Sequence, residues 1–116
     1  MNRKAAERGG RRAEALAALW LRLKGWRILA KRARTPVGEI DLIARRGRTL
    51  AFIEVKARAN ATNAEMALDD FRLRRVARAA EALASRYARP GDDIRIDAIF
   101  VVPGRWPRHM ENVWHG

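Results

Sequence analysis

The sequence predicts an α/β fold, a mixed central sheet flanked by helices in the order α-β-β-β-α-β, with a further short strand near the end. Three observations predict it. Residues 11–24 and 66–88 carry apolar side chains at spacings of three and four, the signature of amphipathic helices. Three short segments between them, and one after the second helix, alternate apolar with polar residues or run apolar between Gly and Pro. Neither low-complexity tract nor linker divides the chain, so these elements share one sheet with helices packed on it.

Length and composition bound the class. At 116 residues with 48% hydrophobic content, the chain has the size of one domain with one modest core. Cysteine is absent, which removes disulfide frameworks and thiolate zinc sites and fits a reducing, cytoplasmic setting. No run reaches the roughly 18–20 apolar residues of a membrane span. The apolar stretch 13–23 is broken by Glu14 and Arg22, so it lacks the core of a secretory signal, and no membrane partner is expected. Lys and Arg number 25 against 13 Asp and Glu, a formal charge of +12. An Arg-favouring coding bias gives such a composition without function. The functional reading is a polyanionic partner, nucleic acid first among them.

In order, residues 1–10 are basic and read as a flexible arm. The helix over 11–24 places Ala13, Leu16, Ala17, Trp20 and Leu23 on an apolar stripe, with Leu19 beside it, and Gly25 stops it. Residues 26–33 read as a strand, kept at an edge by Lys31, Arg32 and Arg34. Thr35-Pro36-Val37-Gly38 is a turn. Residues 39–45 and 49–58 form a hairpin whose two-residue Gly47-Arg48 turn suits type II′. That turn pairs residues summing to 95, so Asp41 faces Glu54. Alternation then groups Asp41, Ile43, Phe52, Glu54 and Lys56 on one face and Ile40, Leu42, Ala44, Ala51, Ile53 and Val55 on the other, which is wholly apolar. Residues 59–65 are a loop. The helix over 66–88 presents Leu73, Val76, Ala77, Ala80, Leu83, Ala84 and Tyr87, and carries Arg72, Arg74, Arg75 and Arg78 in its first half. Residues 89–93 turn the chain into a strand over 94–102, and 109–114 suit a short last strand.

Asp41, Glu54 and Lys56 carry the chemistry. Two carboxylates suffice for Mg²⁺ or Mn²⁺, with waters completing the sphere, and a lysine on the same face can orient a nucleophilic water or meet developing charge. The plain alternative is a cross-strand ion pair on a solvated face. Against it stand Ile43 and Phe52 among these charges. His109, Glu111 and His115 invite a metal reading, but their position and spacing suit an ordinary terminal strand. Trp20 suits the core; Trp106 and Trp114 suit either stacking on bases or capping the sheet.

With these residues in view, the chain resembles the YraN family (UPF0102). The resemblance rests on GEIDLIA and F-x-E-V-K-x-R within GEIDLIARRGRTLAFIEVKAR, with Glu14 upstream, Arg72-Leu73-Arg74-Arg75-Val76, Arg95-Ile96-Asp97 and His109-Met110-Glu111-Asn112. That family resembles the restriction-endonuclease-like PD-(D/E)xK nucleases, archaeal Holliday-junction resolvases in particular. The resemblance implies a restriction-endonuclease-like core and a metal-dependent endonuclease acting on structured or branched DNA, with Mg²⁺ or Mn²⁺ held by Glu14, Asp41 and Glu54 and with Asp41, Glu54 and Lys56 catalytic. It further implies backbone contacts from the basic residues Arg11, Arg12, Arg58, Arg72 and Arg75, and a homodimer. The family's usual lysine early in the second helix is here Arg72. Two rivals stand beside the nuclease: a nucleic-acid-binding module without cleavage, and a partner within a DNA- or RNA-processing assembly.

Overall fold

A computed structural model describes residues 3–62 and 69–115, with only the backbone described over 3–9. The elements are α1 (Arg3–Leu23), β1 (Arg27–Thr35), β2 (Gly38–Arg46), β3 (Thr49–Ala57), α2 (Asp70–Tyr87), β4 (Asp93–Val101) and β5 (Arg108–Met110). The strands form one open mixed sheet in the order β1-β2-β3-β4-β5. The β3–β4 pair is parallel and the other pairs are antiparallel. A parallel pair needs a crossover, and α2 supplies it.

The helix ends are fixed by local chemistry. At the end of α1 the Trp26 N–H donates to the Leu21 carbonyl (2.9 Å) and the Gly25 N–H to that of Arg22 (3.1 Å). This is a Schellman closure, and Gly25 takes the left-handed conformation it requires, at φ 89°. Asp69 caps α2, its carboxylate accepting from the Phe71 N–H at 2.9 Å. In the β2–β3 turn Gly47 has φ 61°. The pairing runs from Arg46↔Thr49 to Leu42↔Ile53, the expected register.

Alternation along the strands sends side chains into two cores, one on each face of the sheet. Leu42, Ala44, Ala51, Ile53, Ile99 and Val101 pack with α1 and Trp26. Ile43, Leu50, Phe52 and Ile96 pack with Leu73, Val76, Ala79, Ala80 and Leu83 of α2. A sheet buried on both faces explains why β2 and β3 are apolar almost throughout.

Four expectations are corrected. The stretch expected as a basic arm is helical from Arg3, the helix running through Gly9 and Gly10. On α1 the packing face is Ala13, Ala17, Ala18 and Leu21, while Leu16, Leu19 and Leu23 are exposed and Trp20 is half-buried; Trp26 is the core tryptophan. Small alanines let the helix backbone lie close to the sheet, which a stripe of leucines does not. Ile40 joins the α2 core rather than the face shared by Leu42 and Ala44, so alternation breaks at Asp41. The second helix starts at Asp70; residues 66–68, expected as its first turn, lie outside the described residues.

Candidate functional site

The break in alternation is also a break in the sheet. Between β1 and β2 the pairs Lys31↔Leu42 and Ala33↔Ile40 skip the position where Arg32 would meet Asp41. Arg32 has φ 52°, a left-handed backbone uncommon for any residue but glycine. On the other side the β2–β3 register ends at Leu42↔Ile53, one step before Asp41 and Glu54, while β3 continues alongside β4 to Ala57↔Val101. The Asp41 carboxylate fills the opening: Oδ2 accepts from the Val55 N–H at 2.8 Å. A side chain thus replaces a ladder bond, which satisfies a backbone donor and turns a carboxylate inward.

Beside it lie Glu54 and Lys56, two residues apart on β3 and so on one face. Lys56 Nζ is 2.6 Å from Glu54 Oε1, with the two side chains only 6% and 12% exposed. Glu54 Oε2 is buried without a hydrogen-bond partner. Burial pushes the Asp41 carboxyl up to about 6; the Val55 N–H pulls it down, and the charges of Glu14, Glu54 and Glu39 raise it further. The irregular strand therefore holds the carboxyls of Asp41 and Glu54 partly buried and near enough for the charge of one to raise the other.

These groups line a cleft of about 430 Å³ at the carboxyl end of β3. Across it α2 contributes Arg72 and Arg75, and Arg58 borders the same cleft. Five of the sequence-predicted residues beyond Asp41 are accordingly brought together: Glu54, Lys56, Arg58, Arg72 and Arg75. The others are placed elsewhere. Glu14, on α1, has its Oε2 held by Arg32 Nε at 2.7 Å and reaches Asp41 through its charge. Arg12 lines a separate groove beside α1, and Arg11 is exposed on that helix. Among the described residues no group of three or more His, Cys, Asp or Glu side chains is gathered as a ligand set, so Glu14, Asp41 and Glu54 do not converge on one point.

Sequence reasoning missed Arg32 and Glu39. Glu39 lines the cleft and raises Asp41. Arg32 clamps Glu14, and its only signal was its register: it stands where a straight ladder would oppose it to Asp41. His109 has a structural role on β5, its Nε2 lying 2.8 Å from Asp97.

A family model described as "Uncharacterised protein family UPF0102" matches residues 13–101, the span that carries the second half of α1, all of α2, the hairpin and Asp41, Glu54 and Lys56. This chain belongs to that family. It is similar to UPF0102 proteins of Sphingopyxis alaskensis (63% identical over 114 residues, 98% of each chain) and Rhizorhabdus wittichii (59% over 117 residues, 100% of this chain and 99% of the relative). A third, from Erythrobacter litoralis, is 56% identical over 98% of each chain. These relatives carry the family designation alone. No helix among the described residues is long and apolar enough to cross a membrane.

Proposed function

We propose that the Asp41 cleft of this UPF0102 protein hydrolyses phosphodiester bonds in nucleic acid with the help of Mg²⁺ or Mn²⁺, structured or branched DNA being the substrate class the resemblance indicates. The observation that carries the reading is Glu54 Oε2, a buried carboxylate oxygen with no partner, beside a carboxyl raised to about 6 and opposite two arginines of α2. A buried unpaired oxygen on a glutamate is costly unless something else engages it.

The donors fit a hard divalent ion: Asp41 and Glu54 supply carboxylate oxygens, and Glu14 and Glu39 add negative charge around them. When bound, such an ion polarises the phosphoryl oxygens and makes water nucleophilic at neutral pH. The residues of the chain do the rest. Lys56, held on the same face of β3, orients the attacking water and donates to the phosphoryl oxygen as charge develops there. Arg58, Arg72 and Arg75 hold the backbone phosphates so that the scissile group meets the carboxylates, a sequence-blind grip. The new bond joins the water oxygen to phosphorus and the bond to the leaving oxygen breaks; the water's proton passes to solvent and the leaving oxygen takes one from solvent, giving a phosphomonoester end and a hydroxyl end. Burial of Lys56 and Glu54 keeps bulk water from screening these interactions.

The test incubates the purified protein with junction, flap, single-stranded and duplex DNA in Mg²⁺ or Mn²⁺, beside Asp41→Asn and Lys56→Ala. Wild type should cut at least one substrate, and each variant should lose about 100-fold or more of the rate, the scale of one positioned catalytic group. Wild-type cleavage by Asp41→Asn would sink the site. Tight binding without cleavage of any substrate would leave the protein a binding module.

A further inference from the structure

On the α1 face of the sheet, α1 and the loop between β4 and β5 enclose a second concavity of about 650 Å³. Its wall is apolar and unusually exposed: Leu16, Leu19 and Leu23 are 50%, 52% and 71% accessible, and Trp106 on the loop is 78% accessible. The Leu spacing of three and four makes one ridge along α1, distinct from the alanine face that packs on the sheet. Trp106 is not loose on this surface. Its ring lies against that of Trp20, centroids 5.2 Å apart and planes 30° apart. Contiguous apolar surface of this kind marks a place where something binds.

Charge decides what. Arg12, Arg58 and Arg105 border the groove, and none of the described residues lining it is acidic. Lys24 sits over the Trp20 ring at 4.6 Å. A second copy of a chain with a formal charge of +12 would bring its own cations to this rim, which disfavours self-association. An anionic ligand with flat apolar parts fits both the rim and the floor.

Position decides which anion. Ala57 and Arg58, the end of β3 and the residue after it, line both this groove and the Asp41 cleft. The two openings lie on opposite faces of the sheet and meet at this end of β3, so a polymer with phosphates in the cleft reaches the lip of the groove by rounding Ala57 and Arg58. Base-paired nucleotides are stacked and offer only their edges, whereas an unpaired base presents a π-face to an aromatic platform.

We propose that this groove receives an unpaired stretch of the nucleic-acid strand engaged at the Asp41 cleft, with a base stacked on Trp106 and its phosphates against Arg58 and Arg105. The proposal rests on the cleft being the phosphodiester site and narrows its substrate class to single strands or junctions with an unpaired arm. Trp106 is a specificity-determining residue, remote from the bond being cut.

The test measures binding of a labelled mixed-sequence single strand and of the matching duplex by fluorescence anisotropy, in EDTA so that no cleavage intervenes. The intact protein should prefer the single strand. Trp106→Ala should weaken single-strand binding about 5- to 150-fold, the loss expected for one stacked base, and leave duplex binding within about two-fold. Trp106→Phe, which retains a ring, should restore most of the affinity, separating stacking from any effect on folding. Equal single-strand affinity in wild type and Trp106→Ala would overturn the proposal. So would sedimentation showing a dimer that Trp106→Ala dissociates while single-strand binding persists, or capture of an acidic peptide with no strand preference. The two readings fail separately: Trp106-dependent binding without cleavage of any substrate removes the hydrolase and keeps the groove. Asp41-dependent cleavage with binding indifferent to Trp106 does the reverse.

Discussion

Two aspartates on this sheet meet opposite fates. Asp97 on β4 is fully buried, yet each oxygen is engaged: Oδ2 by Arg95 (2.9 Å) and His109 (2.8 Å), Oδ1 by the Asn112 N–H (2.9 Å) and by Arg95 Nε (3.2 Å). Burial pushes its carboxyl up, but the bonds from His109, Arg95 and Asn112 outweigh burial and hold it below the ordinary range. Arg95 and His109 lie against the Trp26 ring, so the cluster is also packed. Asp41, less buried, has one backbone donor and acidic neighbours, and its carboxyl rises to about 6. One acid ties β5 and the residues after it to the sheet; the other is kept short of partners at a strained break in the strands. That difference, more than burial, sets the acid proposed to act apart from the acid that holds the fold.

The largest expected effect tests the Asp97 half. Asp97→Ala leaves Arg95 and His109 with buried charge and polarity unanswered, and should destabilise by about 3–5 kcal/mol in urea unfolding. Asp41→Asn should cost no stability at pH 7 and should raise it. Equal losses from both would erase the distinction between the two acids.

Next in size is the pH dependence. Between the unfolded value of 3.8 and about 6 the native protein holds a proton on Asp41 that the unfolded chain has lost, so stability falls as pH rises through that window. The change is no more than about 3 kcal/mol, less where solvent screens the half-buried carboxyl. Asp92, lowered to about 2 mainly by the Arg45 guanidinium, and Asp97 have the opposite sign: their contribution is present above the ordinary Asp range and is lost as pH falls below it. Unfolding free energies of wild type and Asp41→Asn from pH 4 to 7 should therefore diverge with rising pH. Parallel curves would mean that Asp41 is not held in a negative, desolvated setting.

How much of this was legible beforehand follows from what each signal depends on. The hairpin register came from one local fact, a Gly-Arg turn between two apolar runs, and it fixed Asp41 near Glu54 and Lys56. The face α1 packs was not legible, because Ala13, Ala17, Ala18 and Leu21 compete with Leu16, Leu19 and Leu23 at the same helical spacing. Only the closeness of the helix to the sheet selects the alanines. The break at Asp41 depends on Arg32 leaving the ladder, a tertiary event set by Glu14 on another element. Asp97 looked like one more alternating strand residue, since its partners come from its own strand, from β5 and from the residues that follow it.

A bound divalent ion gives a smaller effect. At about pH 7 Asp41 is ionised, and Mn²⁺ should raise the melting temperature of wild type and not that of Asp41→Asn. At pH 5, where a proton competes for the carboxylate, the rise should shrink. An equal rise in Asp97→Asn would confirm that the ion ignores the satisfied acid. A rise that persists in Asp41→Asn would move the ion elsewhere.

The smallest effect concerns Arg32, which stands between Glu14 and the cleft. Its guanidinium holds the Glu14 carboxylate, and its backbone pays for that reach with φ 52°. Arg32→Ala removes the clamp and keeps the unfavourable backbone, whereas Arg32→Gly removes both, so the glycine variant should be the more stable of the two. Both release Glu14. If the acids around Asp41 act together on a cation, both variants should bind Mn²⁺ several-fold more tightly than wild type by calorimetric titration, and Glu14→Gln should cancel the gain. Tighter binding in the glycine variant alone would assign the effect to the backbone, and Glu14 would then be only a partner for Arg32.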